Sequence, residues 1–120
     1  MPYVDGFLIP LPKKNLAAYR KIAAKAGKIW MDLGALEYRE CIADDLKVKN
    51  MTSFTRSAGA KPGETVVFSW VVYKNKAHRD RVNAKLMKDP RLLKLMKTMK
   101  MPFDGKRMAY GGFKTIVDLP

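Results

Sequence analysis

Few residues in this chain have side chains suited to chemistry. There is one histidine, His78, and one cysteine, Cys41. One of each cannot supply the usual nitrogen and sulfur ligands of a protein metal site, so no metal site is expected and no cofactor is implied. A serine triad would have to use His78, and Ser53, Ser57 and Ser69 stand in no nucleophile-elbow context. His78-Arg79-Asp80 has the order of a kinase catalytic loop. That loop needs Asn five residues after its Asp, where this chain has Lys85, and no glycine-rich phosphate loop precedes it. Charge on a helix surface is the expected role, with Asp80 near the helix start where the dipole favours it. His78, tunable near neutrality, is a candidate pocket acid or base, and Asp5 is the other. Gly59-Ala60-Lys61-Pro62-Gly63-Glu64-Thr65 has one residue too few for a phosphate-binding loop and Glu where Lys is required, so it reads as a turn.

Cys41 lies in an alternating stretch and is expected to be a buried, inert thiol, a thiolate helped by Arg39 being the alternative. Met87, Met96, Met99, Met101 and Met108 are expected to fill core gaps. Asp104, Lys106 and Arg107 form a turn carrying both charges. It is either a local ion pair or an anion clamp at a pocket mouth beside Tyr110 and Gly111-Gly112.

The elements that must position these groups converge on Met101–Asp118. Pro102 and Asp104-Gly105 make a turn. A strand follows, with Met108, Tyr110 and Ile116 on one side and Ala109, Phe113 and Val117 on the other. Paired glycines within it predict a bulge or a close approach. Upstream, Tyr3–Ile9 reads as a strand closed by Pro10 and Pro12. A helix spans Lys13 to Leu33, with Leu16, Tyr19, Ala23, Ala26, Trp30 and Leu33 as its apolar stripe, and Gly34 stops it. Ala35–Ile42 is a second strand, with Leu36, Tyr38 and Ile42 on one face. Met51–Arg56 is a ragged edge strand, and Glu64–Tyr73 is the clearest strand of all. A helix over Lys76–Lys88 is capped by Asn75, and a further piece, capped by Asp89 and opened by Pro90, runs to Met99.

At 120 residues and 48% apolar content, one domain with a substantial core is expected. The start of the chain does not read as a signal peptide, no apolar run reaches membrane-span length, and no intrachain disulfide can form, so a cytoplasmic setting is expected. The net charge is +13, concentrated in the helical segments. Residues 13–28 carry six basic side chains and no acid, and residues 74–107 carry twelve basic and three acidic ones. Such a surface favours acidic partners, and weak, salt-sensitive, nonspecific binding to nucleic acid or another polyanion follows as an alternative function. No zinc finger, helix-turn-helix or aromatic ribonucleoprotein motif accompanies it.

The order strand, helix, strand, strand, helix, strand predicts an α+β, ferredoxin-like antiparallel sheet with two helices on one face. Glu64–Tyr73 is apolar on both faces: Val66, Phe68, Trp70 and Val72 oppose Val67, Val71 and Tyr73. Helices cover one face only, so a second copy is expected on the other, giving a two-fold dimer.

From end to end the sequence resembles a family of small bacterial proteins known as domain-of-unknown-function family 1428, within the dimeric α/β-barrel superfamily. The matching stretches are Tyr3–Phe7, Glu37–Cys41, Gly63–Trp70, His78–Asn83 and, most specifically, Met101–Met108. The resemblance implies a ferredoxin-like protomer and a homodimer whose sheets form a barrel. Relatives in the superfamily include cofactor-free monooxygenases, haem-handling proteins and isomerases, and a shared fold does not choose among them. The expected function is binding of a small partly apolar molecule between sheet and helices, with its transformation without a bound metal as the further step. The expected lining is Tyr3, Tyr38, Trp70 and Tyr110, with Asp104 and Arg107 at the rim.

Overall fold

A computed structural model of the chain describes all 120 residues. Strand β1 (Tyr3–Pro12) leads through one 3-10 turn into helix α1 (Leu16–Asp32). Strand β2 (Glu37–Ile42), a short helix α2 (Phe54–Ser57) and strand β3 (Glu64–Tyr73) follow, then α3 (Lys76–Leu86), α4 (Pro90–Thr98) and β4 (Ala109–Lys114). The sheet order is β2-β3-β1-β4, with every neighbouring pair antiparallel. This is the ferredoxin-like α+β plan that the element order predicts.

Side-chain alternation divides the sheet into two unlike faces. Toward the helices, Val67, Ser69, Val71 and Tyr73 of β3 and Asp5, Ile9 and Leu11 of β1 are buried. Ile29, Ala35, Val71, Tyr73, Val82 and Leu86 pack as one cluster, and Ile9, Leu11, Tyr19, Ala23 and Val67 as another. Burying a side chain of this size is worth roughly 1.5–3 kcal/mol relative to exposure. The Tyr73 hydroxyl, in the middle of the core, accepts from Trp30 Nε1 at 3.0 Å, so its burial leaves no orphan. Away from the helices, Phe68 is 46% and Phe113 64% exposed, and no part of the chain covers them fully.

Local differences from the sequence expectations have identifiable causes. Pro10 and Pro12 lie inside β1 rather than ending it. Lys13 donates to Gly63 on the β3 side, while Pro2 accepts from Thr115 on the β4 side, so even-numbered positions face β4. That strand pairs only as far as Leu8, and the missing N–H groups of the two prolines therefore deprive no neighbour. The expected edge strand over Met51–Arg56 is instead the single turn α2, because Ser53 caps it by accepting from the Arg56 N–H at 3.2 Å. The last strand stops at Lys114, leaving Ile116 and Val117 exposed outside it. Gly111 and Gly112 make no bulge. They pair in unbroken register with Gly6 and Asp5, and a β-carbon on Gly112 would meet the Tyr3 ring 2.8 Å from Cε2. No helix is long and apolar enough to cross a membrane.

Candidate functional site

Two polar constellations occupy the helix side of the sheet, one closed and one open. The closed one centres on Asp5, which is 1% exposed. Its Oδ1 accepts from Arg79 Nη1 at 2.8 Å and its Oδ2 from the Tyr110 hydroxyl at 3.1 Å. Arg79 also donates to the Tyr110 oxygen at 3.0 Å and to Asp80 at 2.8 Å, and its guanidinium lies 5.0 Å from the centre of the Tyr3 ring. Burial raises the Asp5 carboxyl above its ordinary value, opposed by the Tyr110 and Arg79 contacts. Burial and the Asp5 charge together hold the Tyr110 phenol up, so it remains a donor. Paired on all sides, this cluster ties β1, β4 and α3 together. Asp5 and Tyr3 stand in it beside Tyr110, and Arg79 is the member that sequence reading left as surface charge.

The open constellation lies between α1 and β2. Tyr19 of α1 donates to Glu40 Oε1 at 2.6 Å, and Tyr38 of β2 donates to Glu40 Oε2 at 2.6 Å. Tyr38 and Glu40 share a face because they are two residues apart on a strand. Tyr19 reaches them from the apolar stripe of α1. Burial, with the Glu40 carboxylate adding to it, pushes both phenols well above the ordinary tyrosine value, so both protons stay in place. The three side chains stand in the wall of a cavity of about 500 Å³, otherwise lined by Leu16, Ala23, Ala24, Ile42 and Val67, with Arg20 and Cys41 also on it. Gly27 admits the Tyr38 ring: a β-carbon there would stand 2.6 Å from Cε1.

The remaining expected site residues make no hydrogen bond to either polar group, although Trp70 borders the same surface concavity as Tyr110. Trp70 lies on the opposite face of the sheet, donating to Glu37 at 3.1 Å, because β2 and β3 pair Arg39 with Trp70. It therefore shares no cavity with Tyr38. Arg107 is engaged at the far end of the sheet, with two hydrogen bonds of 2.7 Å to Glu64 and one of 2.8 Å to the Gly59 carbonyl. Asp104 caps the 3-10 turn Gly105–Arg107 by accepting from the Lys106 N–H. His78 accepts from the Lys74 N–H at 3.0 Å and packs edge-on against Tyr73. Its partial burial and the nearby Lys74 and Arg81 lower its proton affinity, so it braces the start of α3 as a neutral ring. Cys41 is exposed rather than buried, since β2 is an edge strand. Of the methionines expected in the core, Met87 and Met96 are 75% and 58% exposed, and Met108 packs against the cluster around Ile9.

Sequence reading missed Glu40 and Tyr19 as a pair. The available signal was an acidic residue on the Tyr38–Ile42 face of an alternating strand, a position where a carboxylate needs partners.

Comparison with known proteins agrees with this architecture. The uncharacterized protein YbaA of Escherichia coli strain K12 is 46% identical over 118 residues, covering 98% of this chain and 99% of that protein. Among solved structures, SnoaB, a cofactor-independent oxygenase from Streptomyces nogalater, superposes with a TM-score of 0.61 at 12% identity, covering 99% of this chain and 97% of that one. A dimeric ferredoxin-like protein from an uncultured marine organism superposes with a TM-score of 0.53 at 16% identity, covering 98% of both chains. Identities this low speak for the fold alone. Residues 2–105 match the family described as protein of unknown function (DUF1428), and the chain belongs to that family.

Proposed function

We propose that this protein is a homodimer that binds a small, partly apolar molecule in the groove between α1 and β2. The observation that carries the binding reading is the Glu40 carboxylate, held by Tyr19 and Tyr38 in a wall that is apolar apart from Arg20 and Cys41. Ligand sites commonly combine apolar lining with a few fixed polar groups. The dimer is supported by the uncovered sheet face, where Val4, Leu8, Phe68, Trp70 and Phe113 line one concavity of about 700 Å³. It is supported too by the structurally similar protein described as dimeric. Exposed apolar surface on this scale marks an interaction site.

Native mass spectrometry of protein purified without denaturation tests both parts. The expected result is a dimer carrying a discrete added mass, with the added mass lost and the dimer kept in Tyr38→Ala. A monomer would remove the dimer. An added mass that persists in Tyr38→Ala would remove the groove as its site.

The distribution of charge supports a second reading, a polyanion surface on the outer helices. Lys25 and Lys28 of α1 and Arg91 of α4 line one depression on that side. Binding to random duplex DNA should then weaken steeply with salt and with charge reversal at Lys21, Lys25 or Lys94. No binding at low salt would dispose of it.

A further inference from the structure

Glu40 is an exception among the acids of a strongly basic chain. Five carboxylates are wholly or partly buried: Asp5, Glu37, Glu40, Glu64 and Asp89. Four of them have an arginine partner, respectively Arg79, Arg39, Arg107 and Arg91. Glu40 makes no salt bridge, although the protein has 24 lysines and arginines and Arg20 lines the same groove. Its only polar partners are the two phenols.

The hydrogen bonds around it are one-directional. Both phenol protons are committed to Glu40, and burial keeps them from being lost. A carboxylate has about four lone-pair sites, and a phenol oxygen retains acceptor capacity after donating. What Glu40, Tyr19 and Tyr38 offer an occupant is thus acceptors and negative charge, with no donor. An anionic head group would meet only acceptors at these three side chains, Arg20 being the one cationic group elsewhere on the lining. An ammonium brings three donors and a positive charge, the complement of these acceptors.

We propose that the occupant is an organic ammonium ion, a small amine whose charged head rests against Glu40, Tyr19 and Tyr38. Its apolar body lies along Leu16, Ala23, Ile42 and Val67. The proposal rests on the groove being a ligand site. Arg20 opposes a bound cation and sets an upper bound on amine affinity in the unmodified protein.

The test uses three probes with one apolar body: phenylbutylamine, phenylbutanol and phenylbutanoate. Each is titrated into the full-length protein while the backbone amides of Tyr38–Ile42 are followed by NMR. The amine should bind roughly tenfold or more tighter than the alcohol, because both can donate a hydrogen bond to the carboxylate but only the ammonium adds charge attraction at a partly buried site. Glu40→Gln, which keeps the side chain's shape, should abolish that preference. Arg20→Ala, an exposed substitution independent of the clamp, should tighten the amine and weaken phenylbutanoate. Equal affinity for alcohol and amine, a preference for phenylbutanoate, or an amine preference that survives Glu40→Gln would overturn the ammonium assignment and leave the groove standing. Failure of all three probes to shift these amides would overturn the groove itself.

Discussion

The Tyr38 ring lies directly over Gly27, at a distance no side chain on the helix could share. A β-carbon on Gly27 would stand 2.6 Å from Cε1 and 2.7 Å from Cδ1. Glycine inside a helix costs ~1 kcal/mol relative to alanine, and here that cost admits the ring whose hydroxyl holds Glu40. Gly27→Ala should therefore not deliver its propensity gain. Overpacking of this kind typically costs ~1–3 kcal/mol, so a small net loss of stability in urea unfolding is expected, together with displacement of Tyr38 from Glu40. A net gain of stability with the Tyr38 resonances unmoved would show that the ring yields freely and is not fixed by this contact.

Asp5 and Arg79 lead to a different expectation, because their pair has 2% and 13% side-chain exposure. Arg79→Leu leaves a buried carboxylate without its cation and should cost ~3–5 kcal/mol. Asp5→Leu combined with Arg79→Leu should cost less than Arg79→Leu alone, since the double variant strands no charge. A double-mutant cycle in urea reads the difference. If the two single changes simply add, Asp5 is stabilised mainly by Tyr110 rather than by the guanidinium.

The fold was legible because two periodicities run through the chain without conflict. The α1 stripe from Leu16 to Leu33 and the alternation of β3 each assign an inner face from sequence alone. What neither periodicity contains is the register between strands. Trp70 groups with Phe68 and Val72 within β3, but its separation from Tyr38 depends on Arg39 standing opposite it, which only the pairing decides. Arg107 and Glu64 are 43 positions apart, and no local pattern joins them. Glu40 was readable as an inward acid, whereas its second phenol, Tyr19, is reached through the packing of α1 on β2.

The Glu64–Arg107 pair gives a pH dependence with a definite sign. The hydrogen bonds from Arg107, and after them the Lys61 N–H, hold Glu64 down to about 2 from an ordinary 4.5. A carboxylate whose folded value is depressed stabilises the fold above its unfolded value, and that contribution fades as pH falls through the interval between the two. Wild type should thus lose stability between about pH 4.5 and about pH 2 relative to Glu64→Gln. Parallel stability curves for the two proteins across that interval would mean that the pair is broken in solution.

The uncovered sheet face makes the last prediction. Phe68 stands at the centre of β3, 46% exposed, with its ring 5.6 Å from Trp70 and 5.8 Å from Phe54. Charge at that point would be buried unpaired against a second sheet, but is harmless in a monomer where the side chain already meets water. Phe68→Glu should therefore convert a dimer to a folded monomer, seen as a halved mass by light scattering with an unchanged far-ultraviolet circular dichroism spectrum. Trp70→Ala, on the same face, should weaken the dimer without changing amine affinity, because Trp70 and the Glu40 groove lie on opposite sides of the sheet. A Phe68→Glu dimer as tight as wild type would place the subunit contact elsewhere, on the helices or along the free edges of β2 and β4.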